Sequence, residues 1–299
     1  MTPTRLRDAI EQRISHLTGR TLGGVDYTQP KGDPGLFGPE TVAWRIHGDF
    51  TSMMCGGISA LLLQMLHPLA LAGVWDHSNF RQDMIGRLRR TSQFIAVTTF
   101  GSREDAERIL QRVRQVHEGV VGEAADGTPY AASDPELLTW VHVAEMSRFL
   151  AAHRRYRNPR LSLADQDRYF DETARVAEAL GARDVPRSRA AVDAYLERQR
   201  RFLVCDTRTR DVVEVLLHSL PPSPIIQPAG ALFMRAGIDL LPPWAATLLG
   251  LEMSARERRA VRGGIRTLAP VVRWAVRNGS YRRAMERMQA KEQSTRRDG

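Results

Sequence analysis

The sequence predicts an all-α fold: a single large multi-helix domain with buried central helices packed around a pocket. Apolar residues recur three and four positions apart along most of the 299-residue chain, the spacing of one helix face. Strand-type alternation is nearly absent. Between Asp49 and Asp76, the 26 residues Phe50 to Trp75 contain no Asp, Glu, Lys or Arg, as expected of helices walled in by other helices.

That uncharged run is long enough to span a membrane. However, Gly56 and Gly57 open it, Gln64 and His67 lie inside it, and Pro68 would break a helix near its middle. An imidazole at that depth would also lie unpaired in hydrocarbon. The run is therefore expected as two short helices buried all round, the first ending at His67, with His77 and Ser78 starting the next helix. From Met84 the helical pattern continues through FIAVTTF (94–100), which is β-prone only in isolation. Ser102 with Asp105 reads as a capping box, followed by Ala106, Ile109, Leu110, Val113, Val116, His117 and Val120, and Gly122 is the expected stop. Asp134 before Pro135 starts a helix through LLTWVHVAEMSRFLAAHRR. Further helices are expected at 163–180, 188–203, 207–219, 229–239, 255–267 and 280–291. The segments RRYRNPR (154–160), PPSP (221–224) and LPPW (241–244) read as loops, the first being the weakest point of the chain.

Composition narrows the function classes. With 42% hydrophobic and 26% charged residues the chain is an ordinary globular protein. Cys55 and Cys205 are too few for a four-cysteine zinc site, an iron–sulfur cluster or a disulfide framework. The first twenty residues are charged throughout and lack a secretory apolar stretch, so a cytoplasmic location is expected. Residues 255–299 hold thirteen basic and four acidic side chains, which accounts for the entire net charge of +9. The chain thus divides into a helical body, 1–254, and a basic helical segment, 255–299. The plainest reading of that segment is a solvated helix face, and peripheral contact with an anionic membrane is the sharper one. Nucleic acid is not expected: 41 of the 43 basic residues are arginines, a bias that reads as genome composition.

No H-E-x-x-H, G-x-S-x-G, G-x-G-x-x-G or phosphate-loop motif occurs, which weakens hydrolase and nucleotide-binding readings. What remains is polar residues where helical spacing predicts burial. His117 sits on the apolar face described above. Arg87 and Thr91 share a face with Met84, Leu88, Phe94, Ile95 and Thr98, and His142 lies between Leu138 and Met146. A buried arginine requires an anion, which could be Asp76, Asp83, Glu145 or a ligand carboxylate. Each histidine alone fits a core residue bonded to a carbonyl. Together these residues describe an apolar, helix-walled, haem-sized pocket with one imidazole for iron and one guanidinium for a propionate. The second nitrogen of the ligating imidazole is expected to meet a carbonyl or carboxylate. His67 and His77 read as helix-end residues, or with a carboxylate as a non-haem metal site.

Four segments carry a family resemblance: GDPGLFGPETVAWRIHGD (32–49), LLLQMLHPLALAGVWDHSNF (61–80), RLRRTSQFIAVTTFG (87–101) and VHEGVVGEAADGTPYAASDPELLTWVHVAE (116–145). Over roughly 30–240 the chain resembles the rubber-oxygenase (latex-clearing-protein) catalytic domain family, also called MpaB-like oxygenases. The resemblance implies an all-α haem b protein acting with dioxygen on carbon–carbon double bonds. It makes His117 the proximal iron ligand and gives Arg87 and Thr91 the holding of the haem and the shaping of its pocket. Arg90 falls where rubber oxygenases place a distal lysine, keeping the charge but not the ammonium. These enzymes also use a glutamate upstream of the arginine as base, yet no glutamate occurs between Glu40 and Glu104; Asp76 and Asp83 are the substitutes considered. The expectation is a haem-dependent oxygenase for a small lipophilic or isoprenoid-type alkene, with Thr91 and Arg90 beside the reacting group. The alternative is a non-catalytic haem- or lipid-binding module of the same fold.

Overall fold

The structure is a computed structural model and describes residues 24–219, 227–276 and 279–295. Among these residues are thirteen α-helices and one two-stranded sheet, an all-α fold as the periodicity predicts. The first twenty residues and the PPSP stretch lie outside the described residues.

A short helix α1 (Val42–His47) leads into α2 (Phe50–Gln64), whose first turn is capped by the Asp49 carboxylate accepting from Ser52 N at 3.1 Å. Helix α3 (Pro68–His77) follows after a 103° bend. Pro68 takes the first helical position and His67 the N-cap, so the uncharged run forms two helices as its proline requires. Among the described residues no single helix is long and apolar enough to cross a membrane. Three details differ from expectation. The first helix ends at Gln64 rather than His67, and only Leu71 and Ala72 of α3 are buried, so of this pair α2 alone is a core helix. His77 closes α3 instead of opening the next helix.

Helix α4 (Phe80–Phe100) bends at Asp83, where φ −143° and ψ 59° leave the helical region, and then runs unbroken from Met84. Helix α5 (Arg103–Glu118) starts on Ser102, whose Oγ accepts from Asp105 N at 3.1 Å. It stops at Glu118, four residues before the expected Gly122, because residues 121–123 are needed in a hairpin. Strand β1 (Val121–Glu123) pairs antiparallel with β2 (Pro129–Ala131) across a turn in which Gly127 has φ 81°. The Asp126-Gly127 dipeptide is the hairpin signal the helical reading passes over.

The longest helix, α6 (Pro135–Tyr156), begins where Asp134 accepts from Glu136 N at 2.7 Å. It packs lengthwise on α2. Gly56 permits this approach, since a Cβ there would lie 3.0 Å from Arg148 O and Phe149 Cα. Helices α7 (Leu163–Leu180), α8 (Arg189–Gln199), α9 (Thr207–His218) and α10 (Gln227–Asp239) close the body. α7 matches the expected span, and residues 200–202 of the expected 188–203 helix form a single 3-10 turn. Helix α11 (Pro243–Leu249) arises from LPPW, read as a loop, because Pro243 serves as a first helical residue.

Helix α12 (Ala255–Ala275) extends eight residues beyond expectation, with Pro270 inside it, and α13 (Ser280–Thr295) follows. Several arginines of this basic segment are structural rather than solvated. Arg262 forks onto the buried Asp239 at 2.8 and 2.9 Å, with Arg258 and Arg155 on the same carboxylate. Arg273 bridges Asp49, the α2 cap, at 2.7 Å and donates to Tyr156 O. Arg287 is fully buried, donating to the carbonyls of Asp33, Tyr27 and Gly101.

Candidate functional site

Helices α2, α4, α5, α6 and α7 enclose a cavity of about 780 Å³, within the ~300–1,000 Å³ of small-molecule and cofactor sites. Its wall includes Arg87, Arg90 and Thr91 from α4, His117 from α5, and His142 and Glu145 from α6. All four sequence-predicted site residues thus reach one cavity. The i, i+4 spacing of Arg87 and Thr91 stacks them on one side of α4, and Thr91 Oγ1 donates back to Arg87 O at 3.3 Å.

His117 is in the last turn of α5, not the centre of an apolar face; its neighbour Val116 is 57% exposed. Its Nδ1 is buried without a hydrogen-bond partner, and desolvation lowers the pKa of the ring. Among the described residues no carbonyl or carboxylate stands behind that nitrogen, so the ring is not oriented from behind, and burial disfavours its charged form. Arg87 donates to Ser78 Oγ at 3.1 Å. Burial, helped by Arg90, pulls its pKa down to about 10, and no carboxylate of a described residue pairs with it. Of the anions weighed for it, Asp76 accepts instead from Tyr130 OH at 2.7 Å. Asp83 caps Gly86 N and lies 3.6 Å from Arg90. Neither aspartate is part of the cavity wall. Arg90 is 61% exposed and stands at the rim.

Two wall residues are more prominent than the sequence suggested. His47 is buried between Thr99 Oγ1 and Tyr169 OH, both at 2.8 Å, and desolvation pushes its pKa down to about 3. Glu145 is partly buried on the inner side of α6 and forms part of the cavity wall. Burial alone pushes its carboxyl up to about 7, with no neighbouring charge or hydrogen bond opposing it. The sequence offers Glu145 only as a partner for Arg87; its position three residues after His142, on the buried side of α6, is the signal that places it inside. Burial also lowers His142 to about 4. Among the described residues no three His, Cys, Asp or Glu side chains converge, so the non-haem site drawn from His67 and His77 is not assembled. His67 Nδ1 is buried and unpartnered, while His77 Nε2 meets Val121 O at 3.2 Å.

The donor set can be tested against the group it suggests. A haem requires a neutral imidazole on the wall, a cation for its propionates and an apolar chamber. His117 with its orphaned nitrogen, Arg87 with no carboxylate partner among the described residues, and Leu138, Val113 and Ile109 on the same wall supply all three.

Two curated relatives, uncharacterised proteins of Mycobacterium bovis and Mycobacterium tuberculosis, are each 27% identical over 187 residues, covering 62% of this chain and 73% of theirs. No solved structure matches. Residues 44–274 match the family described as the catalytic domain of the ER-bound oxygenase mpaB/B' and rubber oxygenase. That span starts later than the motif-bearing segments and extends past 240 through nearly all of α12. On that match the chain belongs to the mpaB/rubber-oxygenase catalytic-domain family, a family of oxygenase kind.

Proposed function

We propose that this chain is a haem b-dependent oxygenase acting with dioxygen on a lipophilic alkene. The observation that carries the reading is that Arg87, Thr91 and His117 line the same 780 Å³ cavity, with Arg90 at its rim. His117 would ligate the iron and Arg87 would hold a propionate. When bound, the haem supplies the redox chemistry with dioxygen.

The chain's own residues do the rest. The neutral His117 ring presents a lone pair without first losing a proton. Thr91 and Arg90 would flank the reacting group, Thr91 as a hydrogen-bond donor and Arg90 as a charge at the mouth. The apolar wall excludes water and orients the alkene. Haemin titration tests this: the parent should develop a Soret band, His117→Ala should lose or shift it, and Arg87→Ala should retain haem less well. Unchanged haem content in both variants would remove the assignment. The non-catalytic haem- or lipid-binding alternative predicts the same spectra without dioxygen consumption over any alkene panel.

A cytoplasmic location with peripheral membrane contact is also proposed. The solvent side of α12 carries Arg256, Arg259 and Arg266 with the exposed Val271 and Trp274, an apolar edge beside positive charge. Sedimentation with phosphatidylserine vesicles should fall when Val271 and Trp274 become serine; unchanged sedimentation refutes the contact.

A further inference from the structure

A second, smaller chamber of about 200 Å³ adjoins the main cavity. The two share His47, Leu61, Thr91, Gln93, Ile95 and Glu145 as wall, so Glu145 and Thr91 stand at their junction. Beyond the junction the lining is mainly apolar, with Phe50, Met53, Met54, Ile58, Leu88 and Phe149, and Tyr27, Ser92, Ser280 and Tyr281 are its polar members. Methionines make a wall that adapts to an unbranched or irregular chain.

Glu145 does not suit a purely hydrocarbon guest. Its carboxyl has no hydrogen-bond partner among the described residues, and packing a saturated chain against it would leave that polar group unpaired. A guest carboxylate would carry a full negative charge into the apolar junction, where desolvation penalises it more than a neutral group. A neutral oxygen fits better, because a protonated carboxyl both donates to and accepts from a hydroxyl or carbonyl. The charged Arg87 and Arg90 line the main cavity but not the smaller chamber, so neither stands at the junction. His47 is engaged by Thr99 and Tyr169, and burial holds His142 neutral.

We propose that the site selects a lipophile bearing a neutral oxygen function, a hydroxyl or carbonyl, which hydrogen-bonds Glu145 at the junction while the apolar tail fills the smaller chamber. Glu145 is then the specificity-determining residue. This inference rests on reading the cavity as the ligand site of an oxygenase-type protein. It adds what the alkene must carry.

The test uses the full chain and the neutral fluorophore N-phenyl-1-naphthylamine, displaced in turn by 1-octanol, octane and octanoate at matched free concentrations. Octanol should compete at least about fivefold better than octane, the equivalent of one hydrogen bond. Octanoate should compete less well than octanol. Glu145→Leu should abolish the octanol preference, and Glu145→Gln, which still donates and accepts, should keep it. Gly57 lines the smaller chamber, and a Cβ there would meet only Phe149 at 3.8 Å. Gly57→Leu should therefore fold, weaken every ligand and leave haemin uptake unchanged. Equal competition by octane and octanol, or an octanol preference surviving in Glu145→Leu, overturns the proposal. Octanoate matching octanol would move the head group to Arg87 and overturn it as well. Failure of the haem reading would appear separately, as absence of a Soret band with the octanol preference intact.

Discussion

Replacing Glu145 with glutamine should stabilise the protein in a pH-dependent way. In the folded chain the carboxyl is pushed up to about 7 by burial, against an ordinary value of 4.5. Between these values the folded state binds the proton more tightly than the unfolded one, so Glu145 lowers stability as pH rises from ~4.5 to ~7, with no further change above. The full difference corresponds to roughly 3 kcal/mol, and the portion developed by pH 6 to roughly 2 kcal/mol. Glutamine has the same shape and never ionises. The stability advantage of Glu145→Gln over the parent should therefore grow by about 1 kcal/mol between pH 6 and pH 8. Urea unfolding of the haem-free chain at both pH values, followed by far-UV circular dichroism, reads it directly. A pH-independent difference would show that Glu145 ionises normally, and would refute the description of an unpartnered carboxyl facing the junction.

Other consequences concern the frame around the cavity. His47, held near pKa 3, and His67, His142 and His153, each near 4, stay neutral in the fold but protonate near 6.5 when unfolded. Stability should therefore fall as pH drops from ~6.5 towards 4; a flat thermal midpoint across that range would contradict their burial. Asp239→Asn should destabilise by about 3 kcal/mol in denaturant melts, because Arg155, Arg258 and Arg262 converge on that fully buried carboxylate. Gly237→Ala should cost ~1–3 kcal/mol by the same assay, since its Cβ would meet Ile58 Cγ2 at 2.4 Å where α10 crosses α2. A neutral result at either position would contradict the packing described.

Most of the fold was legible because burial here follows helical spacing. Leu163–Leu180 could be bounded from Ser162 and Gly181 alone, and Pro68 divided the uncharged run where the structure bends. The errors lie where local and tertiary signals compete. The apolar repeat through Val116 and Val120 pointed to a longer helix, but the Asp126-Gly127 turn pulls residues 121–123 into a hairpin and leaves His117 at the helix end. The arginine-rich segment looked solvated because sequence does not show that Asp239, Asp49 and three carbonyls await Arg262, Arg273 and Arg287. Arg87, Thr91 and His117, named from spacing and resemblance together, line one cavity. Glu145 was not singled out, since a glutamate on a mostly apolar helix reads as an ion-pair partner until the neighbouring helices are in place.

The central claim is that His117 and Arg87 hold a haem within the cavity. An absorption spectrum of the purified full chain, with and without added haemin and beside His117→Ala, tests it most directly. The parent should show a Soret band that is lost or displaced in the variant. No band in the parent after haemin addition, or an identical band in both proteins, would contradict it.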